Sequence, residues 1–199
     1  NWFDASAAAC GEMVFDLIKA LGVPLTAEIG TFIYVAILTD TGAFHHGNIT
    51  ARTFGICRDI VEGGVSAAEV AARLFQTSSV GKLRLTGSVL NALQLEGNRR
   101  VAVLHVDERL LHETGCAPDD MEGLINAPLT AADIQAVILL KAFGDAIQVS
   151  LRSKAAVDVR AVAVAHGGGG HRNAAGFTIS GSLEDVRSRT VADVIAAID

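Results

Sequence analysis

Apolar positions in the first part of the chain predict helices around one buried strand. Hydrophobic side chains recur at helical spacing over residues 5–21, and Gly22 ends that predicted helix. Residues 31–38 form an almost continuous apolar run, which is typical of a strand covered on both faces in a parallel sheet. Further helical stretches are expected over residues 50–62 and 66–90. The pattern therefore predicts an α/β fold for this part.

The second part of the chain alternates short predicted strands with helices. Apolar segments on either side of residues 96–98 predict one β-hairpin, and those on either side of residues 143–145 predict another. A short strand is expected over residues 177–179. Helices are expected over the remaining segments of this part, which have helical spacing or begin at a capping residue: residues 107–113, 119–125, 157–165 and 183–198. This mixture predicts an α+β module distinct from the α/β start.

Chain length and these patterns together suggest two domains with a helical connection. At 199 residues the chain is long enough for one large or two small hydrophobic cores. We expect residues 1–65 in one domain, residues 66–88 as a helical linker and residues 89–199 in a second domain. The chain begins with Asn1 and not with Met, which suggests a piece of a longer protein.

Composition excludes several classes of protein. Half of the residues are hydrophobic and 19% are charged, which excludes a disordered chain. The net charge of −6 argues against a coat for duplex DNA, which needs a basic face. No apolar run reaches the roughly 18 residues of a membrane span, so no membrane partner is expected. Three distant cysteines without metal-ligand spacing are typical of buried thiols in a reducing compartment, here the cytoplasm.

A run of four glycines is the most informative motif for chemistry. Residues 167–170 lack every Cβ, so their amides can approach an anion closely, and His171, Arg172 and Asn173 follow at once. Backbone amides beside a cation and a titratable ring are well suited to phosphate. The alternative is a flexible loop between two elements. The small residues after Asn173 are expected to open a helix.

Arg152 and Ser153, at the end of a predicted hairpin strand, are candidates for the same phosphate. Arg152 suits a bidentate contact, and the Ser153 hydroxyl adds a donor. The alternative for Arg152 is a solvated side chain at a strand end. His171 has two candidate roles, a hydrogen-bond donor to phosphate or a general acid. We favour the donor, because no carboxylate lies close to it in the sequence.

Asp40 is the candidate metal ligand in the first part of the chain. It follows the predicted strand and precedes Gly42, a position from which a carboxylate can bind Mn²⁺ or Mg²⁺. The alternative is a turn or helix-capping aspartate. Adjacent His45 and His46 point to opposite faces of an extended segment, so at most one is expected to share a site with Asp40. A surface loop is the alternative for this pair.

Together these motifs resemble the DHH-family phosphoesterases that carry a C-terminal DHH-associated domain. Residues 167–176 match the signature of that domain, with Arg172 where lysine is common and His166 before it where an aromatic residue is usual. Residues 150–153 are similar to the strand motif before the signature, and residues 38–44 to the final aspartate motif of the catalytic domain. The most similar subgroup is the nanoRNase/pAp-phosphatase type, which degrades very short RNA and removes the 3′-phosphate from phosphoadenosine phosphate.

The resemblance implies a hydrolase with a two-metal, usually manganese, centre. In that scheme residues 1–65 are the C-terminal portion of a parallel-sheet DHH catalytic domain, in which Asp40 is a catalytic metal ligand. Residues 89–199 are the α+β DHH-associated domain, which binds a short oligoribonucleotide or a nucleotide phosphate. The substrate-binding residues that the resemblance implies lie in both parts: His45, His46, Asn48, Arg152, Ser153, Gly168, Gly169, Gly170, His171, Arg172 and Asn173.

One departure from the family changes this expectation. The earlier metal-binding motifs, including the Asp-His-His that names the family, are absent from this chain. One aspartate cannot hold two metal ions, so we expect a fragment that is inactive by itself. Three alternatives stay open: a cyclic-dinucleotide phosphodiesterase, an exopolyphosphatase of the same family, or a non-catalytic module that binds nucleotide or phosphate. Whether the chain forms a homodimer also stays open.

Overall fold

The computed structural model describes residues 2–45, 48–144, 146–154 and 156–199 of the chain. The chain divides into two compact units, Asn1–Thr77 and Ser78–Asp199. Within the described residues all strands lie in the second unit, and the first unit is helical. The chain therefore has a mixed α/β fold, as the sequence predicts, with its sheet confined to one unit.

The described residues of the first unit form helices around an aliphatic core. Their bounds are α1 Cys10–Ala20, α2 Ala27–Asp40, α3 Ala51–Glu62 and α4 Ala67–Phe75. Thr26 and Thr50 begin α2 and α3, because each hydroxyl accepts a hydrogen bond from a backbone amide in the first helical turn. The buried side chains of Phe15, Ile37 and Ile60 contribute to the core of this unit.

The prediction of a strand at residues 31–38 is wrong, because this segment lies inside α2. The helix packs against α1, α3 and α4, so apolar side chains are needed on several of its sides. A Cβ on Gly30, for example, would lie only 3.1 Å from a methyl group of Val65. A helix that is apolar on several sides has the same continuous hydrophobic pattern as a buried strand, and the pattern alone does not separate the two.

A six-stranded mixed sheet is the centre of the second unit as the structure describes it. Its strands follow the spatial order β1-β2-β3-β4-β6-β5. Strands β2 and β3 are parallel, and every other neighbouring pair is antiparallel. The strands are β1 Gln94–Glu96, β2 Val101–Asp107, β3 Ala136–Phe143, β4 Ala146–Ser153, β5 Gly169–His171 and β6 Ala174–Ser180.

Helices pack on both faces of this sheet. They are α5 Val80–Asn91, α6 Glu108–Thr114, α7 Val159–Ala165 and α8 Leu183–Ile198, with 3₁₀ helices Pro118–Met121 and Leu124–Thr130. One face packs against α7 and α8 through a core that includes Val149, Leu151 and Phe177. The opposite face, which carries Leu139, packs against α5, α6 and the 3₁₀ helices. None of the helices in the described residues is long and apolar enough to cross a membrane.

The structure confirms both predicted hairpins, β1 with β2 and β3 with β4, and the helix predicted over residues 183–198 coincides with α8. The single helix predicted over residues 66–90 is instead two helices, α4 and α5, which lie in different units. Residues 119–125 are not α-helical. Gly123, with a φ of +87°, separates the two 3₁₀ helices in this segment.

The small residues after Asn173 do not open a helix, because residues 174–180 form β6, which contains the strand predicted over residues 177–179. Gly176 of β6 pairs with Ser150 of β4, and a Cβ on Gly176 would lie 2.7 Å from the Val149 carbonyl oxygen. The small residues at this point therefore allow two strands to approach closely. They do not serve as the first turn of a helix.

Candidate functional site

Cross-strand pairing places Arg152 and His171 on one face of the sheet. Arg152 of β4 pairs with Ala174 of β6, and Ala174 pairs with His171 of β5. Directly paired residues project to the same side of an antiparallel ladder, so these side chains share one face. The next row on that face consists of Ser150, Gly176 and Gly169. We refer to these two rows as the β4–β6–β5 face.

Close contacts explain two members of the four-glycine run. A Cβ on Gly168 would lie 2.2 Å from the Gly176 carbonyl oxygen, and a Cβ on Gly170 would lie 2.5 Å from that of Ala174. Both positions therefore exclude a side chain. Gly169 differs, because a Cβ there would meet no atom within 4 Å. The space over Gly169 is open on the β4–β6–β5 face, and a ligand can approach the backbone there.

Arg152 brings a positive charge to this face. Its side chain is half-buried, and Nη1 donates a hydrogen bond to the Leu151 carbonyl oxygen at 3.0 Å. Among the described residues, no carboxylate forms an ion pair with Arg152. His171, in the same row, is exposed to solvent. The row therefore offers one charged and one titratable donor to a ligand.

Lys141 of β3 is a second cation on the same face as Arg152, and the sequence pattern did not single it out. Burial lowers the pKa of Lys141, and the positive charge of Arg152 lowers it further. Nζ of Lys141 lies 3.5 Å from Oε1 of Gln148, and no carboxylate in the described part of the chain forms an ion pair with it. The available signal was a single charged residue within an otherwise apolar strand.

Lys141 and Arg152 line a cavity of about 430 Å³ next to the β4–β6–β5 face. The residues that complete its walls come from the sheet and from the two 3₁₀ helices: Pro118, Asp119, Met121, Glu122, Gly123, Ile125, Leu139 and Ser150. Its volume lies within the range of roughly 300–1,000 Å³ that is typical of small-molecule sites. The cavity therefore combines an apolar surface, two cations and two carboxylates.

Ser153 and Asn173 bind each other, and their hydrogen bonds hold the loop before α7. Ser153 is buried, and its Oγ donates to the Val157 carbonyl oxygen at 2.8 Å. Nδ2 of Asn173 donates to Ser153 Oγ at 2.9 Å and to the Val157 carbonyl oxygen at 3.0 Å. Arg172 supports the same loop, because its Nη2 donates to the Ala156 carbonyl oxygen at 2.9 Å.

His166 lies away from the β4–β6–β5 face and packs α7 against α8. Its Nε2 lies 2.7 Å from Oδ2 of Asp193, and its ring stacks on Phe177 with the centroids 4.5 Å apart. The imidazole therefore occupies the place of an aromatic side chain, which the resemblance leads one to expect at this position. It adds a hydrogen bond that a phenyl ring would not form.

Asp40 ends helix α2 and is exposed, whereas the sequence places it after a strand. It lines a cavity of about 540 Å³ in the first unit together with Asp4 and Cys10. In the described residues, no group of three or more His, Cys, Asp or Glu side chains is arranged to hold a metal ion. These residues by themselves therefore do not fit a two-metal centre, which needs several ligands for each ion.

The loop after Asp40 contains the remaining candidates of the first unit. Nδ1 of His45 lies 2.9 Å from the Gly42 carbonyl oxygen, so it donates to the backbone and leaves Nε2 as the outer nitrogen. Nδ2 of Asn48 donates to the Ala8 carbonyl oxygen at 2.8 Å, which ties the loop to the segment before α1. His46 lies outside the described residues.

Known proteins similar to this chain point to one family. Residues 98–198 match the family model described as the DHHA1 domain, which includes most of the sheet and helices α6 to α8. The chain is 36% identical over 178 residues to the bifunctional oligoribonuclease and PAP phosphatase NrnA of Thermus thermophilus, covering 89% of this chain and 53% of that protein. NrnA of Bacillus subtilis is 27% identical over 181 residues, covering 89% and 57%.

The chain spans about half the length of these curated relatives. An exopolyphosphatase-related protein from Bacteroides fragilis shares the fold, with a TM-score of 0.88 and 24% identity over 96% of this chain and 57% of that one. The DHHA1 match covers slightly more than half of the chain and includes the glycine motif and the β4–β6–β5 face. The chain therefore belongs to the DHH family of proteins that carry a DHHA1 domain.

Proposed function

We propose that this chain binds the phosphate end of a short oligoribonucleotide or of phosphoadenosine phosphate on the β4–β6–β5 face. The observation that carries the proposal is the row formed by Arg152, Ala174 and His171 beside the open space over Gly169. Arg152 supplies a charge that no described carboxylate neutralises, and His171 supplies an exposed donor. Ala174 between them is small, so an anion can contact both side chains at once.

For the whole protein we propose a phosphoesterase that hydrolyses these substrates. The relatives from Thermus thermophilus and Bacillus subtilis support it, because both are named as an oligoribonuclease and PAP phosphatase. Manganese is the proposed metal, with Asp40 as one ligand and the other ligands outside the described residues of this chain. We therefore expect the 199-residue chain to bind substrate without turning it over.

Titration of phosphoadenosine phosphate into the 199-residue chain by calorimetry tests the binding proposal. We expect saturable binding that Arg152→Gln weakens at least about tenfold, because losing a hydrogen bond to a charged group costs roughly 1.5–3 kcal/mol. Arg109→Gln is the matched control, since Arg109 is exposed and pairs with Glu113 on α6. Absence of binding, or equal binding by the wild type and Arg152→Gln, contradicts the proposal.

Hydrolysis is tested separately on the whole protein. Phosphate release from phosphoadenosine phosphate, or mononucleotides from a short RNA, should increase on addition of Mn²⁺. Faster hydrolysis of a cyclic dinucleotide or of inorganic polyphosphate would assign the protein to another substrate class of the same family. Measurable turnover by the 199-residue chain alone would show that its own residues complete the catalytic centre.

A further inference from the structure

We infer that the cavity beside Arg152 binds the ribonucleoside that adjoins the phosphate, with Lys141 as a second cation and Asp119 and Glu122 as acceptors for the ribose hydroxyls. The inference rests on the proposed function, because it places the remainder of the same substrate. It assigns a binding role to the two 3₁₀ helices and the strand β3, which lie outside the glycine motif.

The cavity is continuous with the proposed phosphate position. Ser150 and Arg152 belong to the β4–β6–β5 face and also line the cavity of about 430 Å³. A ligand with its phosphate on Arg152 therefore has its adjoining group at the mouth of this cavity. Lys141 lies on the neighbouring strand of the same face, two rows from Arg152, since it pairs with Gln148 of β4.

Lys141 is a partly buried cation without an ion-pair partner in the described part of the chain. It is half-buried, and the described part of the chain offers it only an amide oxygen at 3.5 Å and no ion-pairing carboxylate. Burial and the charge of Arg152 both lower the pKa of Lys141. An anionic ligand in the cavity that both side chains line would bring negative charge to Lys141.

Other residues that line the cavity have a different chemistry. Met121 and Leu139 are apolar, and a planar base can pack against the apolar part of the lining. Asp119 and Glu122 are exposed and line the same cavity. The neighbouring Asp120 has a structural role instead, because its Oδ2 accepts a hydrogen bond from the Ala117 amide at 2.9 Å.

This distribution of charge orients a ligand. Carboxylates repel phosphate and accept hydrogen bonds from hydroxyl groups, so Asp119 and Glu122 favour the sugar while Lys141 and Arg152 favour the phosphate. Ribose has a 2′-hydroxyl that deoxyribose lacks, and the two exposed carboxylates that line the cavity can distinguish them. The cavity should therefore prefer a ribonucleotide to its deoxy counterpart.

Calorimetry with adenosine 3′,5′-bisphosphate and its 2′-deoxy analogue tests the inference on the full 199-residue chain. We expect the wild type to bind the ribonucleotide about tenfold more tightly. Lys141→Gln should weaken both ligands about tenfold or more. Asp119→Ala with Glu122→Ala should remove the preference for the ribonucleotide, and it should not weaken binding of the deoxy ligand, because the lost carboxylates repel phosphate. Arg109→Gln, outside the cavity, is the control for a lost exposed charge.

Met121 gives a second readout that needs no substitution. The methyl NMR signal of Met121 should shift when the bisphosphate binds and should stay in place with inorganic phosphate alone. If the variants fail to fold, this comparison on the wild type decides the inference.

The outcomes separate this inference from the proposed function. If Arg152→Gln weakens binding but Lys141→Gln and the double variant behave as wild type, phosphate binding on the β4–β6–β5 face is supported and the cavity assignment is overturned. Equal affinity of the wild type for the two bisphosphates, or an unmoved Met121 signal, also overturns it. If the wild type binds neither bisphosphate, the proposed function fails first and the cavity assignment fails with it.

Discussion

Asn173 and Ser153 form a partly buried hydrogen bond, with Nδ2 of Asn173 donating to Ser153 Oγ at 2.9 Å. Both side chains also donate to the Val157 carbonyl oxygen, at 3.0 and 2.8 Å. These bonds tie the end of β4, which carries Arg152, to the turn that follows His171. We therefore expect Ser153 and Asn173 to position the two phosphate-facing side chains, while Arg152 and His171 make the contacts.

Replacing Asn173 by alanine should lower the free energy of unfolding by about 1–3 kcal/mol, because the Val157 carbonyl oxygen and Ser153 Oγ then lose a partly buried donor. Urea denaturation measures this change. Asn126→Ala is the matched control, since Asn126 is exposed and its loss should change stability by no more than about 0.5 kcal/mol. Equal effects of the two substitutions would show that the hydrogen bonds of Asn173 contribute little.

Substitutions at two adjacent glycines, Gly168 and Gly169, should separate a role in packing from a role in ligand binding. Gly168→Ala should strongly destabilise the second unit, because its Cβ would overlap the Gly176 carbonyl oxygen and Phe177. Gly169→Ala should fold normally, since its Cβ enters open space, and it should weaken phosphoadenosine phosphate binding by obstructing that space. Thermal unfolding and calorimetry on both variants check this pair. Normal binding by a folded Gly169→Ala variant would exclude a close approach of ligand to this backbone.

Local sequence patterns were sufficient to predict part of this fold. Turn residues between apolar runs predicted the hairpins, and an amphipathic pattern predicted α8. The insertion of β6 between β4 and β5 is different, because strand order depends on pairing between distant segments. Arg152 and His171 were both candidates from the sequence, but only this order shows that they share a row.

Two errors have the same physical origin, which is packing on more than one side. The run at residues 31–38 lacks a polar face because α2 packs against three helices, so periodicity did not distinguish helix from strand. Residues 174–176 are small because β6 lies close against its neighbours. Lys141 was missed because a lone lysine in a strand has no sequence partner. Its proximity to Arg152 is visible only in the folded sheet.

His105 provides a prediction about stability that is independent of ligand binding. Its Nε2 is shielded from solvent and has no hydrogen-bond partner among the described residues. Because an unsatisfied buried polar atom costs free energy, His105→Phe should leave the protein equally stable or raise its free energy of unfolding by about 1 kcal/mol. Denaturant unfolding measures the change, with exposed His112→Phe as the control. A loss of stability confined to His105→Phe would indicate that an ordered water satisfies Nε2.

The buried thiol of Cys57 predicts a loss of stability at alkaline pH. Burial, assisted by the negative charge of Glu12, raises the pKa of Cys57 from 9.0 to about 11. The unfolded chain therefore ionises Cys57 at a lower pH than the folded chain, and it binds fewer protons between these two values. It follows that the stabilising contribution of Cys57 is complete below pH 9 and decreases as the pH rises towards 11.

Urea unfolding of the wild type and of Cys57→Ala at several values between pH 8 and 11 measures this dependence. The free energy of unfolding of the wild type should decrease more steeply with pH than that of the variant. Other groups also titrate in this range, since burial raises the pKa of Tyr34 and lowers that of Lys141. The contribution of Lys141 is common to both proteins and cancels in the difference. That of Tyr34 cancels only for the part caused by burial, because the charge of Cys57 also raises the pKa of Tyr34. Parallel curves would mean that the Cys57 thiol ionises equally easily in the folded and unfolded chains, so that the packing of α3 around it does not exclude water.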